Sequence, residues 1–236
     1  MRLQIADFRL QITGSIAAGA LAVVALHAAD IKVDLSKEVV GKPPATFEPM
    51  VGTWVVAQDG ADKVIMIDGR PWVASTDNPT RLLIESRTIS VKFKTIAGDA
   101  DRASGIPFNV KPNGDWLAVR YNDTENNVAP WEFHNGMRRK MRFSDRAKTF
   151  MLDRAAWHEL KLTIDGADIK VHLDRELALS DTLGSEPGPG RNNAPPNRDL
   201  LPANNAVLRP PVMGKVGVWA KTDTISYCKD YVVSPK

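Results

Sequence analysis

The sequence predicts an all-β protein, an antiparallel two-sheet sandwich or jelly roll, and three observations lead to this fold class. Short segments in which apolar and polar residues alternate recur after residue 50, as half-buried strands do. Turn signals separate them, most clearly Asp165-Gly166, which predicts a two-residue hairpin loop. No convincing amphipathic helix follows the first 28 residues. Many short strands joined by tight turns are typical of a sandwich.

The strands can be placed in chain order. The first two, residues 53–58 and 63–68, flank a turn at Gly60. Further segments with one apolar side follow at residues 89–93, 160–164, 169–173 and 216–220. Because successive side chains of a strand face opposite ways, each segment has one side suited to a core and another suited to solvent or a ligand.

The first 28 residues resemble a secretory signal peptide. Arg2 and Arg9 make the segment basic, an apolar run covers residues 12–26, and small residues follow at Ala28-Ala29. A membrane anchor or a buried helix is the alternative, but the run is shorter than the roughly 20 residues that span a bilayer. We therefore expect cleavage near Ala28, no stable membrane anchor afterwards, and a periplasmic or extracellular protein.

Residues 29–236 are predicted to form a single jelly-roll domain that contains one unusual insertion. Residues 184–214 are rich in Pro, Gly and Asn, and a run of this length without strand patterning is uncommon in a compact domain. It is either a functional flap or a mobile insertion, and we favour the second. The strands on either side of it are too few to fold as separate domains.

Composition and missing motifs exclude several function classes. The net charge is +3 and the basic residues are dispersed, so no nucleic-acid partner is expected. Cys228 is the only cysteine, which excludes an internal disulfide, and we expect a buried, inert thiol. No GxSxG, phosphate-binding loop, HExxH or paired CxxC motif occurs. Asp99 and Asp101 have oxygen ligands suited to Ca²⁺, although a solvated loop is the favoured interpretation.

The segment 115–139 carries the best candidate site. In its first strand, the apolar set suited to a core is Leu117, Val119 and Tyr121. The opposite set mixes an aromatic, a guanidinium and an amide on a predicted open face, and it consists of Trp116, Ala118, Arg120 and Asn122. A turn with Glu125 follows, and a second strand, 128–134, ends at His134. Trp131 and Phe133 share one face of that strand and are assigned to the core.

A later strand offers a similar open face. Trp219 and Lys221 lie opposite the apolar side of residues 216–220, and Asp223 comes from the turn beyond. We expect this face and that of Arg120 to meet in a common hollow. An aromatic plane beside charged and amide groups is suited to a face that meets a ligand. The simpler alternatives are that Glu125 only caps its turn and that Arg120 and Glu125 form only a salt bridge.

Several short motifs recur here in a characteristic order over residues 88–233. They are Ala103-Ser104-Gly105-Ile106-Pro107-Phe108, Arg120, Asn122, Glu125-Asn126-Asn127-Val128, Trp131, Asn135-Gly136, Trp157-His158-Glu159-Leu160 and Gly214-Lys215-Val216-Gly217-Val218-Trp219-Ala220-Lys221-Thr222-Asp223-Thr224. In their order and spacing they resemble the 3-keto-disaccharide hydrolase domain family, secreted bacterial proteins with a concanavalin A-like or laminin G-like jelly roll. The chain departs from the family pattern at Asn109, at Asp174-Arg175, at Cys228-Lys229 and in the Pro-rich insertion.

The resemblance implies a protein that acts on glycosides. Glu125 is the implied catalytic base, and Arg120 or Lys221 would stabilise the oxyanion. The alternative to the Arg120 or Lys221 side chain in this role is a divalent cation such as Ca²⁺, held by Glu125 and Asp223. The implied substrate-binding residues are Trp116, Asn122, Trp219, Asp223 and His134. A non-catalytic carbohydrate-binding or adhesion module is the second interpretation, and a structural cell-surface protein is the third.

Overall fold

The computed structural model describes residues 29–47, 49, 52–70, 83–84, 86–134, 137–140, 148–154, 156–183 and 214–235. The predicted signal segment 1–28, the Asn135-Gly136 turn and nearly all of the insertion 184–214 lie outside these residues, so the domain boundaries and the export of the chain stay predictions. Within the described residues, no helix is long and apolar enough to cross a membrane.

The described residues form strands, numbered here along the chain, and one short 3-10 helix, Leu35–Lys37. The larger sheet has eight strands, with the spatial order β12 (Glu176–Thr182), β11 (Asp168–Leu173), β10 (His158–Asp165), β5 (Ser86–Ala97), β15 (Ile225–Pro235), β3 (Asp62–Asp68) and β2 (Thr53–Asp59), and with β1 (Ile31–Lys32) against β15. The smaller sheet has five strands, in the order β14 (Trp219–Ala220), β6 (Ala103–Phe108), β7 (Trp116–Asn122), β8 (Asn127–His134) and β9 (Met137–Lys140). A separate pair joins β4 (Leu83–Ile84) to β13 (Gly214–Lys215).

Neighbouring strands in both sheets are antiparallel, and the two sheets form the predicted jelly-roll sandwich. The hairpin of β10 and β11 shows how local sequence sets this pattern. β10 ends at Asp165 and β11 begins at Asp168, so the two-residue loop lies at Gly166-Ala167, one residue later than predicted. Gly166 has a φ of 61°, the left-handed conformation that such loops require.

One hydrophobic core fills the space between the sheets. The five-stranded sheet contributes the predicted face of β7, namely Leu117, Val119 and Tyr121. The eight-stranded sheet contributes alternate residues of its central strands, among them Ile89, Val91, Phe93, Leu160, Leu162, Ile164, Ile169, Val171 and Leu173. Burying such side chains supplies most of the free energy that holds the two sheets together.

The single cysteine belongs to this core, as predicted. Cys228 lies in β15 and is 1% exposed, and its Sγ is 3.6 Å from the carbonyl oxygen of Ile65. Burial raises the pKa of the Cys228 thiol well above its ordinary value. A protonated, inaccessible thiol is unreactive, so this residue is structural.

Candidate functional site

The side of the five-stranded sheet that faces away from the eight-stranded sheet, called here the outer face, carries an aromatic cluster at one end. The rings of Trp116 and Phe133 stack in parallel with centroids 3.6 Å apart. Trp219 meets both rings edge-on, at 5.7 Å from Trp116 and 5.8 Å from Phe133. Trp116 is 4% exposed and Trp219 is 1% exposed. These two tryptophans therefore form a second small core, and the predicted open aromatic platform is not found at their positions.

Gly105 explains how Trp219 and Arg120 come to lie side by side. In the register of the sheet, Gly105 pairs with Trp219 on one side and with Arg120 on the other. A Cβ atom at position 105 would stand 2.9 Å from the Trp219 ring and 2.5 Å from the carbonyl oxygen of Val119. Only glycine leaves room for the ring, so the small residue in this strand is a packing requirement of the site.

Arg120 is the centre of a polar cluster at the other end of the outer face. Its Nη2 donates to Glu125 Oε2 at 2.6 Å, and its Nη1 donates to Asn127 Oδ1 at 2.7 Å. The guanidinium carbon lies 5.6 Å from the centre of the Trp131 ring, within cation–π range. Arg120 is 1% exposed while the Glu125 side chain is 47% exposed. A buried cation is thus held by a carboxylate that still reaches solvent.

The turn between β7 and β8 places Glu125 above this cation. Asn122 Oδ1 accepts hydrogen bonds from the amides of Thr124 at 2.9 Å and Glu125 at 3.1 Å. Asn126 follows with a φ of 54°, a conformation that asparagine tolerates better than most residues. The amide side chain and the left-handed residue together fix the turn, and this confirms that the Asn122–Asn127 segment is a structured turn.

A second ion pair lies beside the first. The buried Lys221 Nζ donates to the carboxylate of Asp101, which is also buried. Asn122 Nδ2 donates to the other oxygen of Asp101 at 2.6 Å. Asn122 therefore links the pair of Lys221 to the turn that carries Glu125. Arg120 and Lys221 lie on the same side of the sandwich, as the sequence predicted.

Asp223 binds the backbone of a neighbouring loop. Its two carboxylate oxygens accept hydrogen bonds from the amides of Asp99, Ala100 and Asp101, at distances from 2.7 to 3.0 Å. Burial raises the pKa of Asp223, but these amide donors lower it more, so the net shift is downward. The side chain predicted to bind substrate is occupied in shaping the loop that presents Asp101 to Lys221.

The electrostatics of the cluster keep Glu125 ionised. Partial burial raises the pKa of Glu125, but the charge of Arg120, hydrogen bonds from Arg120 and Asn127, and the charge of Lys221 lower it further. The pKa therefore lies below its ordinary value of 4.5. At neutral pH the cluster presents a solvent-accessible carboxylate bonded to Arg120 and influenced by the charge of Lys221.

Most of the oxygens predicted to hold a cation have hydrogen-bond partners within the protein. Glu125 Oε2 accepts from Arg120 and Asn127, both oxygens of Asp223 accept backbone amides, and both oxygens of Asp101 have partners. No group of three or more His, Cys, Asp or Glu residues that could hold a metal ion occurs among the described residues. A divalent cation such as Ca²⁺ stays a prediction.

His134 is placed away from this cluster. It ends β8, seven residues beyond Asn127, and pairs with Met137. A strand rises about 3.3 Å per residue, so the backbone of His134 lies roughly 23 Å from the turn that carries Glu125. Within a site centred on Arg120 and Glu125, His134 is not brought together with the other predicted residues.

Trp131 lies at the edge of the second core. It pairs with Ala118, packs against the cluster of Trp116, Phe133 and Trp219, and shares the outer face with Arg120, where it is half-buried. The predicted core assignment of Trp131 is therefore correct only in part. Direct partners in an antiparallel pair point to the same side. The register of the hairpin, Asn122 opposite Asn127, is the signal that would have found both Trp131 and Asn127.

Comparisons with known proteins show the fold alone. No family model matches the sequence, and no curated protein matches it.

Solved structures with similar architecture do exist. The carbohydrate-binding module CBM66 from Bacillus subtilis aligns with a TM-score of 0.50 and 14% identity over 80% of this chain and 95% of that one. A proposed glycosyl hydrolase from Parabacteroides distasonis ATCC 8503 aligns with a TM-score of 0.50 and 14% identity over 85% and 98% of the two chains. The GH43 protein BlXynB from Bacillus licheniformis, in a mutant form, gives 0.52 and 12% over 85% of this chain and 38% of that one. At these identities the similarity concerns architecture, and the chain has the concanavalin A-like jelly-roll fold.

Proposed function

We propose that the protein binds carbohydrate on the outer face of the five-stranded sheet, at the Trp131–Arg120–Glu125 cluster. The observation that carries this proposal is the half-buried Trp131 ring, with the Arg120 guanidinium 5.6 Å from its centre and the half-exposed Glu125 carboxylate bonded to that guanidinium. An aromatic plane accepts the C–H face of a sugar ring, and adjacent charged groups bind its hydroxyls.

The surroundings of the cluster favour a rigid binding site. Asn127 and Glu125 each accept a hydrogen bond from the Arg120 guanidinium. The guanidinium is therefore fixed in position before a ligand arrives. A preorganised site loses less conformational entropy on binding. The names of the architectural neighbours, which include a carbohydrate-binding module and glycosyl hydrolases, support the same ligand class.

A catalytic role on 3-keto-glycosides is the second candidate, and it rests on Glu125. This residue is an ionised, accessible carboxylate whose pKa responds to the charges of both Arg120 and Lys221. In a 3-keto-glycoside the ketone acidifies the C2 hydrogen. Glu125 would take that proton, and the electron pair of the C2–H bond would form an enolate that a neighbouring cation stabilises.

The enolate then expels the glycosidic oxygen from C1, leaving a C1=C2 double bond conjugated with the ketone. The departing oxygen takes a proton from solvent. Water adds across the double bond, its oxygen to C1 and a proton back to C2, which completes a hydrolysis without an oxidant or reductant. The resemblance of the sequence to 3-keto-disaccharide hydrolases supports this route, while the partnered state of Asp223 argues against a mechanism with two converging carboxylates.

Calorimetric titration of the purified protein with ordinary and 3-keto disaccharides tests the binding proposal. Trp131→Ala should weaken binding at least about tenfold, since aromatic contacts dominate such sites. Glu176→Gln, an exposed change in β12, is the control and should bind like the native protein. Native binding that survives Trp131→Ala unchanged would remove this face from consideration.

Turnover of a 3-keto-glucoside separates enzyme from binding module. Glu125→Gln should abolish turnover while the protein still folds and still binds the sugar. A protein that binds but never turns over the 3-keto sugar would be a non-catalytic module, and unchanged turnover in the variant would remove Glu125 from the mechanism.

Export is a separate proposal that rests on residues 1–28 alone. We propose cleavage near Ala28 and a periplasmic or extracellular mature protein, in keeping with a glycan ligand outside the cytoplasm. The mass of the protein recovered from the periplasm or culture medium tests this proposal. The uncleaved mass in that fraction would contradict cleavage, and full retention in the cytoplasm would contradict export.

A further inference from the structure

A cleft opens on the opposite side of the sandwich, on the surface of the eight-stranded sheet that faces away from the five-stranded sheet. Its volume is about 350 Å³, and it is lined by Lys92, Trp157, Glu159, Asp174, Arg175 and Lys229. The chain neighbours of three of these residues, Val91, Leu160 and Cys228, point into the core. Because side chains alternate along a strand, Lys92, Glu159 and Lys229 face outward, and the cleft is not part of the site described above.

Trp157 is the aromatic wall of this cleft and is held in place by its neighbours. Its indole Nε1 donates to Asp59 Oδ2 at 3.2 Å. The Lys229 Nζ lies 4.5 Å from the ring centroid and the Lys94 Nζ lies 5.7 Å from it. The ring is half-buried, so part of its surface stays available. A large aromatic surface fixed in orientation is ready to accept an apolar ligand face at low entropic cost.

The polar groups of the cleft form a row across three strands. Glu159 in β10 pairs with Lys92 in β5, and Lys92 pairs with Lys229 in β15. The turn after β11 closes one end, because Asp174 Oδ1 accepts the amide of Glu159 at 2.8 Å. Arg175 follows in that turn with an exposed side chain. The cleft therefore has both donors and acceptors beside the indole.

The charges of the row favour an uncharged ligand over an anionic one. Lys92 is already bound by Asp230 at 2.7 Å, and Lys229 is bound by Asp62. Glu159 and Asp174 add two further carboxylates to the lining. With Arg175 included, three cations face four carboxylates, so the cleft has no surplus positive charge to attract a carboxylate or sulfate, yet it has both donors and acceptors for hydroxyls.

Trp157 and Trp131 share partial exposure, which is the property on which the proposed site at Trp131 rests. Of the tryptophans in the described part of the chain, Trp54, Trp116 and Trp219 are less than 5% exposed, whereas Trp131 and Trp157 are half-buried. Trp131 lies in β8 and Trp157 directly precedes β10, and each has a basic side chain over its ring and a carboxylate nearby.

We propose that the Trp157 cleft is a second saccharide site, specific for a short uncharged glycan segment of about one or two sugar units, since its volume is near the lower end of the roughly 300–1,000 Å³ typical of small-molecule sites. The proposal extends the proposed function to a second face but rests on its own residues. Two sites on opposite sides of one sandwich cannot be filled by a single short ligand. The protein would therefore bridge separate glycan chains, or distant parts of one, and gain avidity on a polymer.

The test is a calorimetric titration of the purified protein with maltose, cellobiose and laminaribiose in turn. For a sugar that binds, the native protein should take up two ligands, and Trp157→Ala and Trp131→Ala should each take up one. Glu159→Gln, which is gentler to the fold than removing the indole, should retain both sites but weaken the second by at least about tenfold, as expected for a hydrogen bond to a charged group. Glu176→Gln should match the native protein.

The remaining outcomes separate this proposal from the first. Suppose that the native protein binds one ligand, that Trp131→Ala abolishes this binding and that Trp157→Ala leaves it intact. This result overturns the second site alone. One-to-one binding that only Trp157→Ala abolishes supports the second site and overturns the first. No binding of any of the three sugars by a protein that is folded by circular dichroism overturns the second site as stated for neutral glycans. Two native sites with Glu159→Gln unchanged would overturn the assigned lining.

Discussion

The ion pair between Arg120 and Glu125 is expected to stabilise the fold as well as to shape the site. The guanidinium is 1% exposed and its carboxylate partner is 47% exposed, at a separation of 2.6 Å. Glu125→Gln keeps an oxygen opposite Arg120 Nη2 but removes the negative charge, leaving a buried cation with only a neutral partner. Arg120→Met removes that cation while keeping an apolar chain against the Trp131 ring.

The expected magnitude lies between two limits. Exposed ion pairs contribute about 0–1 kcal/mol, and removing one partner from a fully buried pair costs about 3–5 kcal/mol. Because Glu125 is half-exposed, solvent screens part of the interaction, so we expect a coupling free energy of about 1–2 kcal/mol in a double-mutant cycle of Arg120→Met and Glu125→Gln. For a domain of this size, each kcal/mol lowers the melting temperature by about 2–4 °C.

The pH dependence gives a second, independent check. The pKa of Glu125 is lowered below 4.5 in the folded protein, so the pair contributes its full stabilisation above that pH and loses it as pH falls through the lower, folded pKa. Urea unfolding should therefore give the full coupling at pH 7 and progressively less of it below about pH 4.5. The exposed pair Lys148–Glu176, at 53% and 54% exposure, is the control and should give a coupling under about 0.5 kcal/mol. Equal couplings for the two pairs at pH 7 would refute the reasoning.

Three further predictions concern the residues around the site and the inter-sheet core. Asp101→Asn should cost about 3–5 kcal/mol in urea unfolding, because it leaves the buried Lys221 cation without its carboxylate, and a cost under about 1 kcal/mol would contradict a buried pair. Gly105→Ala should cost about 1–3 kcal/mol and alter the near-ultraviolet circular dichroism of the aromatic cluster, while Gly166→Ala, where nothing lies within 4 Å, should cost about 1 kcal/mol and leave that spectrum unchanged. The Cys228 thiol should resist a thiol reagent at pH 8 until the protein is unfolded in guanidinium, and rapid labelling of the native protein would show that it is not buried.

The sequence allowed the strands and the inter-sheet core to be predicted because alternation is a local property. Leu117, Val119 and Tyr121 fall on the core side of β7 by parity alone. The same parity showed that Trp116 and Arg120 share the opposite side, but it says nothing about what packs there. Their burial comes from rings and carboxylates that other strands and turns bring in, so the predicted open face is instead largely buried.

The role of Asp223 shows a different limit. The sequence placed it in a turn beyond the strand of Trp219, which is where the structure has it. Its partners are backbone amides of residues 99–101, more than 120 positions earlier in the chain. Long-range contacts of this kind depend on the sheet order, which alternation does not reveal. Trp131, by contrast, was within reach of the sequence, because the hairpin register alone decides its side.

The most direct test of a saccharide site on the outer face of the five-stranded sheet is a ¹⁵N-resolved NMR titration of the protein with a disaccharide that it binds. The indole N–H of Trp131 and the backbone amides of Glu125 and Asn127 should shift in a saturable way, with one shared dissociation constant. Saturable binding that leaves these three resonances unmoved would contradict the site.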